Sequence, residues 1–223
     1  MAHLAVILGS SAVGPGGNEL AAVAESHGAT VLQRHGAGEY RLPHRIDHAA
    51  NLRSLLDAGC ERALAIGSVG SLKAELGVGS LVSPHDFIAL QVTVTTFADT
   101  RGHTTPGFDA EWRSELLAAW QASDAAPLRD GGVYWQANGP RFETPSEIAL
   151  MAAHADLVGM TLASECIVAG ELGLPYAAAC MVDNLANGIG DRPLSAEEVE
   201  GHRRANATRL REALDAVLPE LTR

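Results

Sequence analysis

Apolar residues in this chain come in short dense runs, separated by stretches in which they recur every three or four positions. HLAVIL at 3–8, TVLQ at 30–33, RALAIG at 62–67, SLVSPHDFIAL at 80–90, GGVYWQAN at 131–138 and YAAACMV at 176–182 predict strands. Between them, 47–58 carries Leu52, Leu55 and Leu56 on one helical face and stops at Gly59, and 111–123 does the same with Trp112, Leu116, Leu117 and Trp120. Thr144-Pro145-Ser146-Glu147 and Ser195-Ala196-Glu197-Glu198 each set a hydroxyl three residues before a Glu that can reach back, so a helix is expected to begin at each. Another is expected over 164–172, ended by Gly173, with Pro175 leading into the last strand. Strands alternating with helices predict an α/β fold. With no linker, repeat or low-complexity stretch, residues 1–223 are expected to form a single domain.

Composition narrows the partners. Sixteen Lys and Arg against 27 Asp and Glu give a net charge of −11, so no general positive field favours nucleic acid or an anionic membrane, and any anionic ligand must be held by a few placed groups. Cys60, Cys166 and Cys180 are odd in number and lie in apolar surroundings, which suits buried thiols in a reducing compartment and predicts a cytoplasmic protein. The first residues have no basic segment or small-residue cleavage site, and no run of about eighteen apolar residues occurs, so neither secretion nor membrane insertion is expected.

Three strand ends carry anion-friendly chemistry. The first run ends in Gly9-Ser10-Ser11-Ala12-Val13-Gly14, the second in Arg34-His35-Gly36, and the third in Gly67-Ser68-Val69-Gly70-Ser71. Each alone is equally well a turn or a surface pair, but ligands gather at strand ends in α/β sheets, and the three could converge on one phosphate. The first turn lacks the Gly-Lys-Ser/Thr of a P-loop and, with Ser at position 11, the second glycine of the G-x-G-x-x-G dinucleotide fingerprint. His44 and His48 are four apart, but the sequence between them lacks the Glu of a zinc-protease motif and no third ligand stands out, so no metal is expected. No G-x-S-x-G nucleophile elbow is present.

Gly139-Pro140-Arg141-Phe142-Glu143-Thr144-Pro145-Ser146-Glu147, then Val158-Gly159-Met160-Thr161 and Glu165, closely resemble the trimeric purine nucleoside phosphorylase and methylthioadenosine phosphorylase family. The resemblance takes in Arg34-His35-Gly36, Pro43-His44 with Asn51, Gly70-Ser71-Leu72 and Glu171 to Tyr176, almost the whole chain in order. It implies a nucleoside phosphorylase fold with a central mixed β-sheet flanked by helices, a homotrimer, and inorganic phosphate as co-substrate with no cofactor. By the same resemblance Ser11, Arg34, His35, Ser68 and Thr161 would hold phosphate, Met160 would lie against the ribose and Phe142 on the base. Phe108 would be the aromatic lent to a neighbouring subunit.

Base preference follows from hydrogen-bond complementarity. A 6-oxopurine presents an N1–H donor and an O6 acceptor, and a 6-aminopurine the reverse. Glu143 would accept N1–H, while the amide of Asn184 would donate to O6 and accept from N7–H, stabilising the departing base. Methylthioadenosine phosphorylases usually have Ser beside the Phe and acids in the later loop. A register shifted by one would put Asp183 at the base and favour adenine, and without the family both residues read as a polar turn. Ala196 stands where the inosine type carries a His, and the 184–191 loop resembles methylthioinosine phosphorylases, so inosine, guanosine and 5′-methylthioinosine are the candidate substrates. Methylthioadenosine is the alternative. Gly67 replaces the usual Thr or Asn, and Leu162-Ala163-Ser164 departs from the usual residues, which leaves a catalytically weakened nucleoside-binding homologue as a rival. The retained Arg34, His35 and Thr161 count against that rival and against a hydrolase.

Overall fold

The computed structural model describes residues 3–10, 15–190 and 195–222. In chain order the elements are β1 (Leu4–Leu8), α1 (Pro15–Ser26), β2 (Thr30–Gln33), α2 (His48–Asp57), β3 (Arg62–Ser71), β4 (Leu81–Ser83), β5 (Asp86–Ile88), α3 (Ala110–Ala122), β6 (Leu128–Asp130), β7 (Val133–Gln136), α4 (Pro145–Ala152), β8 (Leu157–Gly159), α5 (Leu162–Leu172), β9 (Tyr176–Leu185) and α6 (Ala196–Leu221). The helix signals behave as their chemistry requires. Asp47 caps α2 by accepting from Ala50 N at 2.9 Å, Thr144 and Glu147 form a reciprocal capping box on α4, and Gly173 closes α5. The run 80–90 divides at Pro84-His85 into β4 and β5, which join different parts of the sheet; a proline without an N–H cannot carry one ladder through.

The sheet is mixed. β1 lies parallel to β2 and β3, β3 parallel to β9, and β4 antiparallel to β9. Side-chain alternation along the strands feeds two cores. Ala63, Ala65 and Val69 of β3 and Tyr176, Ala178, Cys180 and Val182 of β9 pack with α2 and α5 on one face. Leu64 and Ile66, with Ala177, Ala179 and Met181, pack with α1, α3 and α6 on the other.

The layout around β3 creates the site. β1 follows β3 only as far as Leu8 opposite Ile66, and β8 meets the same edge, antiparallel, only at Gly70 and Ser71. Between them Gly67, Ser68 and Val69 have neither strand beside them on that edge. A cleft opens there at strand ends, the usual ligand position in an open α/β sheet.

Candidate active site

A buried ion pair forms the floor of the cleft. Arg34, 2% exposed, follows β2, and its Nε and Nη2 donate to the two carboxylate oxygens of Glu165 on α5 at 2.6 and 2.8 Å, while Nη1 donates to Ile66 O at 2.9 Å. Tyr176 OH donates to the same carboxylate at 2.7 Å, and His48 Nδ1 stands 4.0 Å away. Burial alone would neutralise Glu165, but the Arg34 charge and hydrogen bonds hold its pKa below the ordinary carboxylate value. Gly9 is what lets the guanidinium in: a Cβ there would stand 2.4 Å from Arg34 Nη1 and 2.8 Å from Ile66 O. This pairing narrows what Arg34 can offer a phosphate. The fork is taken by Glu165, because a guanidinium this deeply buried needs its own counter-charge, and three of its five N–H donors are already committed.

The other phosphate-side residues do meet at the cleft. His35, Ser68 and Thr161 line it beside Arg34, together with Ser10; Ser11 lies outside the described residues. His35 Nδ1 donates to Arg41 O at 2.8 Å, and its ring stacks on Tyr40 at 4.6 Å. Burial, and then the charge of Arg34, push its pKa down to about 4, so the ring is neutral near pH 7 with Nε2 a free acceptor. Ser68 Oγ donates to Asp183 Oδ2 in a very short bond, and Asp183 also accepts from Asn206 Nδ2 of α6 at 2.8 Å. Thr161 is the N-cap residue of α5, so that helix presents its N-terminal end to the cleft.

Phe142, Glu143, Met160 and Asn184 line the opposite end. Glu143 is 8% exposed, and its Oε1 is buried without a hydrogen-bond partner. Burial raises its pKa above the ordinary carboxylate value. Asn184, equally buried, donates from Nδ2 to Leu185 O at 3.0 Å. Its neighbour Asp183, which the β3–β9 register skips, bonds Ser68 and Asn206 of α6, and it is the amide of Asn184 and not the acid that lines the cleft. Phe142 keeps 41% of its surface exposed.

Phe108 does not line the cleft of its own chain. It is 8% exposed and packs in the core, its ring 6.0 Å from Phe87 and 6.1 Å from Tyr176. Asp109, the N-cap residue of α3, ties its backbone N–H to Tyr176 O at 2.9 Å, next to this buried ring.

Gly67 and Leu162 explain one another. A Cβ at Gly67 would fall 2.9 Å from Leu162 Cδ1 and 3.2 Å from Cys180 Sγ, so the leucine fills the space a larger residue would need. In the same segment Ser164 is engaged on both sides by Gln136, which donates from Nε2 to its Oγ at 2.5 Å and accepts its N–H at 2.9 Å. Arg203 of α6 also lines the cleft, and the sequence reading passed over it. The signal available was its spacing: it falls four residues after the apolar Val199, which lines the same cleft.

Among the described residues no cluster of three His, Cys, Asp or Glu is placed to hold a metal, and no helix is long and apolar enough to cross a membrane. The family model of the phosphorylase superfamily matches residues 15–219. A probable 6-oxopurine nucleoside phosphorylase of Archaeoglobus fulgidus is 42% identical over 177 residues, covering 79% of this chain and 73% of that protein. One of Moorella thermoacetica is 35% identical over 218 residues, covering 94% and 84%. A probable S-methyl-5′-thioinosine phosphorylase of Methanothermobacter thermautotrophicus is 36% identical over 180 residues, covering 78% of this chain and 62% of that protein. Methylthioadenosine phosphorylase from Schistosoma mansoni, solved with adenine, shares the fold with a TM-score of 0.78 at 23% identity, covering 97% of this chain and 91% of that one. With its cleft, its strand-end residues and a match that spans nearly the whole sequence, the chain belongs to the phosphorylase superfamily.

Proposed function

We propose that the protein cleaves the N-glycosidic bond of a 6-oxopurine nucleoside with inorganic phosphate, releasing free base and ribose 1-phosphate or its 5-substituted form. The observation that carries this reading is the pairing, in one cleft, of an unpartnered buried carboxylate oxygen on Glu143 with the amide of Asn184. The carboxylate accepts N1–H, and the amide serves O6 and N7, a set that fits a 6-oxopurine and leaves a 6-aminopurine mismatched. The relatives named 6-oxopurine and methylthioinosine phosphorylases support the same substrate class.

As the bond from C1′ to the purine nitrogen stretches, the sugar becomes cation-like and the base anionic. Asn184 stabilises the base at N7, with Phe142 against its face and Met160 against the ribose. On the other side Ser10, Ser11, Ser68, Thr161 and the remaining N–H groups of Arg34 orient the phosphate, and the N-terminal end of α5 favours its negative charge. The neutral His35 accepts a hydrogen bond at Nε2 from the P–OH of monohydrogen phosphate. Phosphate oxygen then bonds to C1′, and the base leaves with the electron pair. No cofactor enters. Val199, Leu42 and Pro43 give the cleft an apolar margin, which favours a methylthio group at the sugar's 5′ end. The protein works as a single-domain, cytoplasmic homotrimer in this reading, like the family its motifs resemble.

Base release from inosine, guanosine, 5′-methylthioinosine, adenosine and 5′-methylthioadenosine tests the assignment. Phosphate-dependent release from the three 6-oxopurines is expected. Asn184→Ala should lower turnover on the best of them about a hundredfold, since a contact made to developing charge is worth roughly 3 kcal/mol of barrier. Release confined to the two 6-aminopurines would overturn the roles of Glu143 and Asn184.

A further inference from the structure

Among the described residues, the phosphate end of the cleft is short of positive charge. Arg34 is matched by Glu165, His35 is neutral, and Ser68 donates its hydroxyl hydrogen bond to Asp183. Monohydrogen phosphate brings two negative charges to a chain whose own net charge is −11. One cation lining this cleft has unused capacity. Arg203 has 24% of its side chain exposed, and its Nε is buried with no hydrogen-bond partner. Nη1 reaches Glu200 Oε2 at 3.1 Å, but that is a neighbour three residues back whose side chain is 44% exposed, a geometry worth little by itself.

The position of Arg203 is fixed by the residues flanking it. His202 Nδ1 donates to Asp183 O at 3.0 Å, and Asn206 Nδ2 donates to Val182 O at 3.2 Å and to Asp183 Oδ1 at 2.8 Å. These bonds pin one face of α6 to the end of β9, beside Ser68. The adjacent face, carrying Val199 and Arg203, looks into the cleft. Glu200 pairs with the guanidinium, and its positive charge is felt at His35, Tyr40 and Asp183.

We propose that Arg203 binds an oxygen of the inorganic phosphate and supplies the positive charge that Arg34, paired with Glu165, does not. The proposal rests on the phosphorylase reading above for the identity of the anion. It adds to the strand-end turns a residue from the last helix, whose competing partner among the described residues is Glu200 on a solvated surface.

Phosphate affinity, measured by calorimetric titration and by the phosphate KM with inosine, separates the two roles. Arg203→Met should weaken phosphate binding about 10- to 100-fold, the range for one charge-assisted hydrogen bond, with the inosine KM at saturating phosphate within about twofold of wild type. Arg203→Lys should recover part of the loss. Glu200→Gln should leave phosphate affinity equal or tighter, because it frees the guanidinium. If Arg203→Met binds phosphate as wild type does, or if Glu200→Gln loses as much as Arg203→Met, the pair is structural and the proposal fails. It fails too if inosine 5′-monophosphate outbinds inosine and Arg203→Met removes that advantage while sparing inorganic phosphate, since the anion would then be the nucleotide's. The titration needs no turnover. A wild type that binds phosphate through Arg203 yet releases no base would sink the phosphorylase reading and leave this one standing.

Discussion

The two ends of the cleft are built on opposite plans. At the phosphate end, Arg203 and His48 apart, the polar groups are satisfied internally: Arg34 with Glu165 and Ile66 O, Glu165 with Tyr176, Ser68 with Asp183, Asp183 with Asn206. At the base end Glu143 is buried with an oxygen unpartnered, and Phe142 is largely in solvent. A saturated network costs little to keep rigid, whereas an unpartnered buried carboxylate destabilises the empty protein and gains most when a donor arrives. The phosphate end is a preformed frame. The base end holds its polar capacity in reserve for the purine.

The strongest way to break this contrast is to neutralise one carboxylate at each end. Glu165→Gln strands the buried Arg34 charge and should cost about 3–5 kcal/mol in urea unfolding, while Glu143→Gln should cost under about 1 kcal/mol or stabilise, having no buried partner to abandon. Equal losses would erase the distinction between frame and reserve.

Packing comes next. Gly67→Thr drives a side chain into Leu162 Cδ1 and Cys180 Sγ and should cost about 1–3 kcal/mol. Adding Leu162→Ala should recover part of that loss, an interaction a double-mutant cycle reads directly. Strict additivity would mean that the two departures are unrelated.

The smallest effect is in pH, and the two ends carry opposite signs. Glu165 has its pKa lowered on folding, so its contribution to stability is present above the unfolded value of about 4.3 and is lost as pH falls through the folded one. Glu143 has its pKa raised, so protonation relieves the folded state and its contribution to stability grows as pH falls. Activity on inosine needs Glu143 ionised. The acid limb of kcat/KM should therefore lie above the ordinary carboxylate value, and Glu143→Gln should flatten it while lowering the plateau.

Much of this was legible in the chain, and what was not has physical causes. The apolar runs and capping pairs located most elements, but β6 and β8 are three residues each, too short to show a period. Asp183 and Asn184 stayed interchangeable in the sequence, because the β3–β9 register skips Asp183, a bulge that only the strand pairing reveals. Local motifs marked Glu143 and Thr161. The partner of Arg34 lies 131 residues away, and nothing local in Arg34-His35 tells a phosphate grip from a buried pair. Phe108 is an aromatic whose burial depends on the tertiary fold. Arg203 reads as one more charge on a polar helix until α6 is seen held to the end of β9.

The fate of the sugar tests the central claim most directly. Inosine is incubated with the wild-type protein in phosphate and in a phosphate-free buffer, and the sugar product is identified by phosphorus and proton NMR. The account predicts hypoxanthine and ribose 1-phosphate in equal amounts with phosphate, and no release without it; free ribose formed at the same rate in both buffers would contradict it.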